Sequence, residues 1–130
     1  MVMKRSFRDN WSKALRSGEF EQGKGLLCMT YPGLGKTYCC LGVRCELDVR
    51  EGKMTKEDSS LGVAYNGVRT VYSELNLPHS VSSGMLDSNT LLRWGLPESV
   101  HSHLIQMNDD KNRTFENIAA FLDRLPVEED

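Results

Sequence analysis

Apolar residues recur at helical spacing near both ends of this chain and at strand spacing between them. Phe7, Trp11, Ala14 and Leu15 fall on one helical face, with Asp9 or Asn10 the expected N-cap and Gly18 the expected stop. The stretches 25–30 and 36–40 read as short strands, joined through Tyr31-Pro32-Gly33-Leu34-Gly35 as a hairpin loop. From Leu41 the period lengthens: Leu41, Arg44, Cys45 and Asp48 share one helical face, and Val43, Glu46 and Leu47 another. A strand therefore runs into a short helix, with Gly42 permitting close packing near the junction.

Residues 53–60 are polar and expected to form a mobile loop. Val63 and Tyr65, then Asn66-Gly67, then Val68, Thr70 and Tyr72 carry a hairpin signal, because Asn-Gly tolerates the positive φ of a two-residue turn. Leu77-Pro78-His79-Ser80-Val81 is echoed nineteen positions later by Leu96-Pro97-Glu98-Ser99-Val100. Proline suits a first helical turn, so each copy is expected to open a helix. Ser82-Ser83-Gly84 closes the first; the second continues through Val100, Leu104 and Met107 to Asn108-Asp109-Asp110. Thr114 caps a last helix whose stripe is Phe115, Ile118, Ala119, Leu122 and Leu125, and Pro126 ends it. Residues 1–6 and 126–130 are expected to fray. The sum is a single α+β domain: a small antiparallel sheet of two hairpins packed against about four helices.

Composition agrees with a folded domain. The chain has 130 residues, 39% hydrophobic and 26% charged, with a formal net charge of -2. No basic stripe is visible, which disfavours nucleic acid as a partner. No apolar run is long enough to span a membrane, and the first residues have no signal-peptide core. The expected compartment is a reducing cytoplasm, where the sequons at Asn10 and Asn112 carry no meaning and cysteines stay reduced.

Three of the four cysteines lie within the eight residues from Tyr38 to Cys45, and Cys28 lies just upstream. Zinc sites pair ligands at C-x₂₋₄-C spacing, and adjacent Cys39 and Cys40 on a strand would face opposite ways. Buried packing is the favoured account, with no metal or cofactor expected. Gly33-Leu34-Gly35-Lys36-Thr37 resembles the end of a phosphate-binding loop, but Thr30 stands where the first glycine is needed and strand follows. His101 and His103 diverge around their helix, which points to one buried and one exposed. Trp11, Arg16, Ser17 and Glu19 form either a partner-binding surface or, for Trp11, a core anchor; the anchor is the favoured reading.

Trp11 to Leu27 resembles the opening of a family of small uncharacterised bacteriophage proteins with the pattern W-x-x-A-L-R-S-G-x-[YF]-x-Q-G-x-G. Tyr38 to Cys45 matches a second block, [YF]-C-C-L-G-V-x-C, without a gap. Leu104, Met107, Asn108, Asp109, Thr114, Phe115, Ile118 and Ala119 match a third. The chain departs from that pattern in its two Leu-Pro segments, and Arg93-Trp94-Gly95-Leu96 precedes the second of them. The resemblance implies phage origin and a host cytoplasm, and it carries over no catalytic residue.

Three functions follow as expectations. The first is a non-enzymatic accessory protein that binds and modulates a host bacterial protein, for instance as an anti-defence inhibitor, alone or as a homo-oligomer. The second is a binder of a small nucleotide ligand: Lys24, Lys36 and Arg44 would hold phosphate, and Trp11, Tyr38 and Tyr65 would stack on a base, with Arg16 beside them. The third is a small hydrolase or nuclease using His79, His101, His103 and nearby carboxylates.

Overall fold

Helix α2 (Cys40–Arg50) runs through the interior rather than along the surface. Every residue from Cys40 to Glu46 is buried, as is Asp48, while the apolar Leu47 is only half-buried. Both faces read from the sequence are therefore covered, so the helix needs neighbours on all sides. The computed structural model describes residues 2–31, 33, 35–58, 63–65, 86–110 and 112–130. Within them α2 packs on α1 (Arg5–Arg16) and α4 (Glu98–Asp109), and α1 packs most extensively on α5 (Phe115–Asp123).

Close approach at the start of α2 depends on Gly42. A Cβ there would lie 1.8 Å from the carbonyl oxygen of Leu27 and 2.6 Å from its carbon. Leu27 is fixed in turn, because its carbonyl accepts from the N–H of Cys39 at 3.2 Å, just beyond the antiparallel ladder of β2 (Cys28–Tyr31) and β3 (Gly35–Tyr38). The hairpin and the buried helix thus meet backbone to backbone.

Two further ladders stand among the described residues. β4 (Lys56–Asp58) pairs antiparallel with β5 (Val63–Tyr65), and β1 (Met3–Lys4) pairs parallel with β6 (Val127–Glu128). Among the described residues, three separate two-stranded ladders and five helices stand where a single sheet of two hairpins and about four helices were expected. Part of the polar 53–60 stretch is strand because it gives Val63 and Tyr65 a partner. The chain ends, expected to fray, lie side by side in register. The Asn66-Gly67 turn, the first Leu-Pro segment and the Ser82-Ser83-Gly84 stop lie outside the described residues.

Helix boundaries differ where a cap comes from afar. α1 starts at Arg5, not after Asp9 or Asn10, and Lys4 at its N-cap position makes no side-chain cap. α2 starts at Cys40, so Cys39 and Cys40 sit at a strand–helix junction and not on a strand; the Cys39 thiol accepts from the N–H of Gly42. Pro97 occupies the N-cap position of α4. An additional helix, α3 (Ser88–Trp94), ends at Gly95, whose φ of 70° supplies a left-handed cap. α5 follows its pattern: Thr114 and Asn117 form a reciprocal capping box, and Phe115, Ile118, Ala119 and Leu122 are buried.

Gly42→Ala tests the backbone contact. The obstructing atoms are backbone, so the clash is not relieved by a rotamer change, and the loss should reach about 3 kcal/mol, the upper end for overpacking. Urea unfolding measures it; a variant with unchanged midpoint and slope would refute the contact.

Candidate functional site

The seven residues assigned to ligand binding from the sequence do not converge. Trp11 is fully buried, and its indole N–H donates to the carbonyl of Cys40 at 2.9 Å. Its ring packs on Phe7 and Trp94. Arg44 is also fully buried, with its guanidinium 3.9 Å from the centroid of Phe7 and its NH2 donating to Asp48 and Glu51. The core-anchor reading of Trp11 therefore holds, and a stacking or phosphate role for Trp11 or Arg44 would need the core to open. Arg16 lies at the surface, where it meets Asp123 at 2.8 Å and Glu116 at 3.2 Å.

Lys24, Lys36 and Tyr38 belong to the hairpin end of the molecule. There residues 21–25 lie against β3: Tyr38 N–H donates to Glu21 O at 2.8 Å, and Gly23 N–H to Tyr38 O at 2.7 Å. The same segment is pinned to the end of α4 from below. Asn108 Nδ2 donates to Gly23 O at 2.7 Å, Gly25 N–H to Asp109 Oδ1 at 3.2 Å, and Lys24 Nζ to Asp109 O at 3.2 Å. Gly23 packs so tightly on Thr37 that a Cβ would come within 2.3 Å of its hydroxyl oxygen. The product is an open groove of about 550 Å³ lined by Glu21, Gln22, Gly23, Lys24, Tyr31 and Thr37. Tyr31, at the end of β2, is 44% exposed.

Asn108 joins this groove to the core. Its Oδ1 accepts from the N–H of Cys40 at 2.9 Å, the first N–H of α2, while its Nδ2 holds Gly23. The side chain is almost fully buried. The sequence places it only at the end of the helix that Leu96-Pro97 opens, since a contact 68 residues away leaves no local signal. Tyr31, expected in the hairpin loop, is instead the last residue of β2.

On the opposite face of the hairpin from Thr37, Cys28 faces Tyr38 across the ladder and Thr30 faces Lys36. Tyr65 OH donates to Glu46 at 2.9 Å, Lys56 Nζ to Glu46 at 2.6 Å, and Lys36 Nζ to Asp58 at 2.5 Å. Burial pushes the Cys28 thiol up to about 11 despite Lys36 and the two tyrosine hydroxyls, and it raises Tyr38 and Tyr65 as well. The other thiols follow. Cys39 is pushed up to about 12 by burial, although a helix start normally favours thiolate, and Cys40 and Cys45 are pushed well above their ordinary value. All four cysteines are free and buried. They behave as packing groups, protonated at neutral pH.

The histidines separate as expected. His101 is buried and its Nε2 accepts from the N–H of Leu86 at 3.2 Å; the His103 ring lies 4.8 Å from that of Phe121. His79 lies outside the described residues. Among those residues no three His, Cys, Asp or Glu side chains come together as a metal set, and no helix is long and apolar enough to cross a membrane.

The chain belongs to the family described as a domain of unknown function (DUF8296), whose model matches residues 3–125. That span contains all three motif blocks. No curated protein and no solved structure matches the chain.

Two measurements probe this architecture. Asn108→Ala leaves the N–H of Cys40 and the carbonyl of Gly23 without their partner, and should cost about 2–4 kcal/mol in chemical unfolding; a loss under about 1 kcal/mol would show that the groove does not lean on it. Burial lowers the pKa of His101 from 6.5, with Glu98 opposing. The unfolded chain then binds the proton first. Stability from this group is present above pH 6.5 and falls as the pH drops from there through the folded pKa. His101→Gln should flatten the stability profile down to about pH 5, above most carboxylate titration. An unchanged slope would refute the assignment.

Proposed function

We propose that this chain is a non-enzymatic binding protein: an accessory protein of bacteriophage origin that binds and modulates a host factor in the host cytoplasm, as an anti-defence inhibitor does. The observation that carries the binding reading is the groove beside Tyr31. Its floor is held at both sides by backbone bonds to β3 and by the Asn108 and Asp109 contacts, so little ordering is needed when a partner docks. Its rim offers one exposed aromatic ring among polar side chains, the composition of an interface anchor.

Several groups that chemistry would call on are meanwhile occupied among the described residues. The thiols are held protonated by burial, His101 spends its lone pair on Leu86, and Arg16, Arg44, Lys36 and Lys56 face carboxylates. Phage origin and the host compartment rest on the resemblance of the Trp11, Tyr38 and Leu104 blocks. A nucleotide ligand is the second reading, favoured by Lys24 and Tyr31 lining one groove, where a cation and an aromatic face could meet phosphate and base.

Tyr31→Ala is the test. The substitution removes an exposed ring, so its unfolding midpoint should match the unaltered chain. Affinity capture from bacterial lysate with both proteins should recover a host protein that Tyr31→Ala retains at least about tenfold less, as loss of an interface hot spot predicts. Equal recovery by both would overturn the groove assignment. A nucleotide that raises the melting temperature of the unaltered chain, but not of Tyr31→Ala, would move the assignment to the second reading.

A further inference from the structure

Three large apolar side chains stand exposed among the described residues, and two of them, Val2 at 40% and Leu92 at 61%, adjoin one pocket. A single exposed apolar group is ordinary, but two beside an apolar void form a patch, and patches mark contact surfaces. The pocket holds about 100 Å³, is partly open, and is lined by Val2, Met3, Gly95, Leu96, Val100 and Leu125 among others. An apolar cavity of about 150 Å³ stays dry and takes benzene, so this smaller one suits a branched aliphatic side chain. Its walls are fixed by backbone. A Cβ on Gly95 would lie 2.8 Å from the N of Met3 and 2.8 Å from the carbonyl carbon of Val2. Met3 and Lys4 are held by the parallel ladder to Val127 and Glu128, which brings Leu125 and Pro126 to the same pocket. An occupant therefore finds the site preformed.

Leu92 stands one helical turn before Gly95, whose N–H donates to the Leu92 carbonyl at 3.1 Å. α3 buries Thr90, Leu91 and Trp94, which leaves the Leu92 side chain outside. An aliphatic knob and an apolar hole thus lie within a few residues of each other. A second copy related by a two-fold axis satisfies both, because each copy gives its knob and receives the other's. The charges beside the pocket point the same way. Glu98 follows the lining residue Pro97, and Arg124 precedes the lining residue Leu125. Both are exposed, and neither meets an opposite charge among the described residues. One unpaired anion and one unpaired cation per copy form a set that a two-fold pair closes exchange by exchange. An unrelated partner accounts neither for knob beside hole nor for the matched charges.

We propose that this face binds a second copy of the chain, in an isologous dimer in which Leu92 of each copy fills the pocket of the other and Glu98 of each faces Arg124 of the other. The pocket shares no lining residue with the groove beside Tyr31, so the two sites are tested separately.

Sedimentation equilibrium of the full chain, from micromolar to millimolar concentration, should show a reversible monomer–dimer transition. Leu92→Asp alters an exposed position, so its urea midpoint should match the unaltered chain while its dissociation constant rises at least about tenfold. Glu98→Arg and Arg124→Glu should each weaken the dimer, and the two together should restore it. In a mixture of labelled and unlabelled chains, the Leu92 methyls of one copy should show intermolecular contacts with the Val100 methyls of the other. Tyr31→Ala should associate as the unaltered chain does. A chain that stays monomeric throughout, unchanged association of Leu92→Asp, or a double charge reversal no tighter than the single ones would overturn the dimer. So would a monomer whose Leu96 and Val100 methyl signals move with isobutanol, an outcome that gives the pocket to a small apolar ligand instead.

Discussion

Helix α2 can pass through the interior because its buried charges are met there, although the Nε of Arg44 is left without a hydrogen-bond partner. Asp48 is fully buried and accepts from Arg44 of its own helix, from Arg93 at 2.8 Å and from the indole of Trp94 at 2.8 Å. Arg44 in turn donates to the carbonyl of Phe7 and to Glu51. The carboxylate therefore ties α3 to α2, and the guanidinium ties α1 to both. Removing one member strands a buried charge and typically costs about 3–5 kcal/mol, whereas replacing a whole cluster with apolar groups can be neutral. The cluster is better seen as fixing the order of packing than as a reserve of stability.

The start of α2 repeats the logic with neutral groups. Its first N–H goes to Asn108 on α4, and the carbonyl of Cys40 goes to Trp11 on α1. Gly42 lets the helix rest against the backbone of Leu27. The side chain that closes the helix end also holds Gly23 at the edge of the groove. Interior and surface are therefore mechanically joined through one amide, and the groove inherits its rigidity from the core.

Local patterns announced what local bonds build. The capping box of Thr114, the stripe of α5, the hairpin from Cys28 to Tyr38 and the tightness around Gly42 were all legible. Missed features depend on distant partners. α1 starts early because residues 128–130 supply its acceptor, β4 is a strand because Val63 to Tyr65 pair with it, and Arg44 and Asp48 are interior because Phe7, Arg93 and Trp94 reach them. α3 was missed because its seven residues show too short a period, with Leu92 left outside. Of the candidate site residues, Lys24 alone lines the groove, while the aromatic that lines it is Tyr31 rather than Trp11.

The cysteine octet shows why chemistry and identity part company in this chain. A thiol at a helix start, near a lysine or an arginine, has the surroundings that elsewhere make a nucleophile. Here desolvation outweighs those influences at all four positions, and the thiols stay protonated. The same burial that makes the octet a dense motif thus removes its reactivity. Packing constrains such a segment, because a larger side chain at Gly42 would displace the core and a missing acceptor at Asn108 would loosen the groove as well. The octet is thus closed to other molecules, whereas the ring of Tyr31 at the end of β2 stays open to solvent.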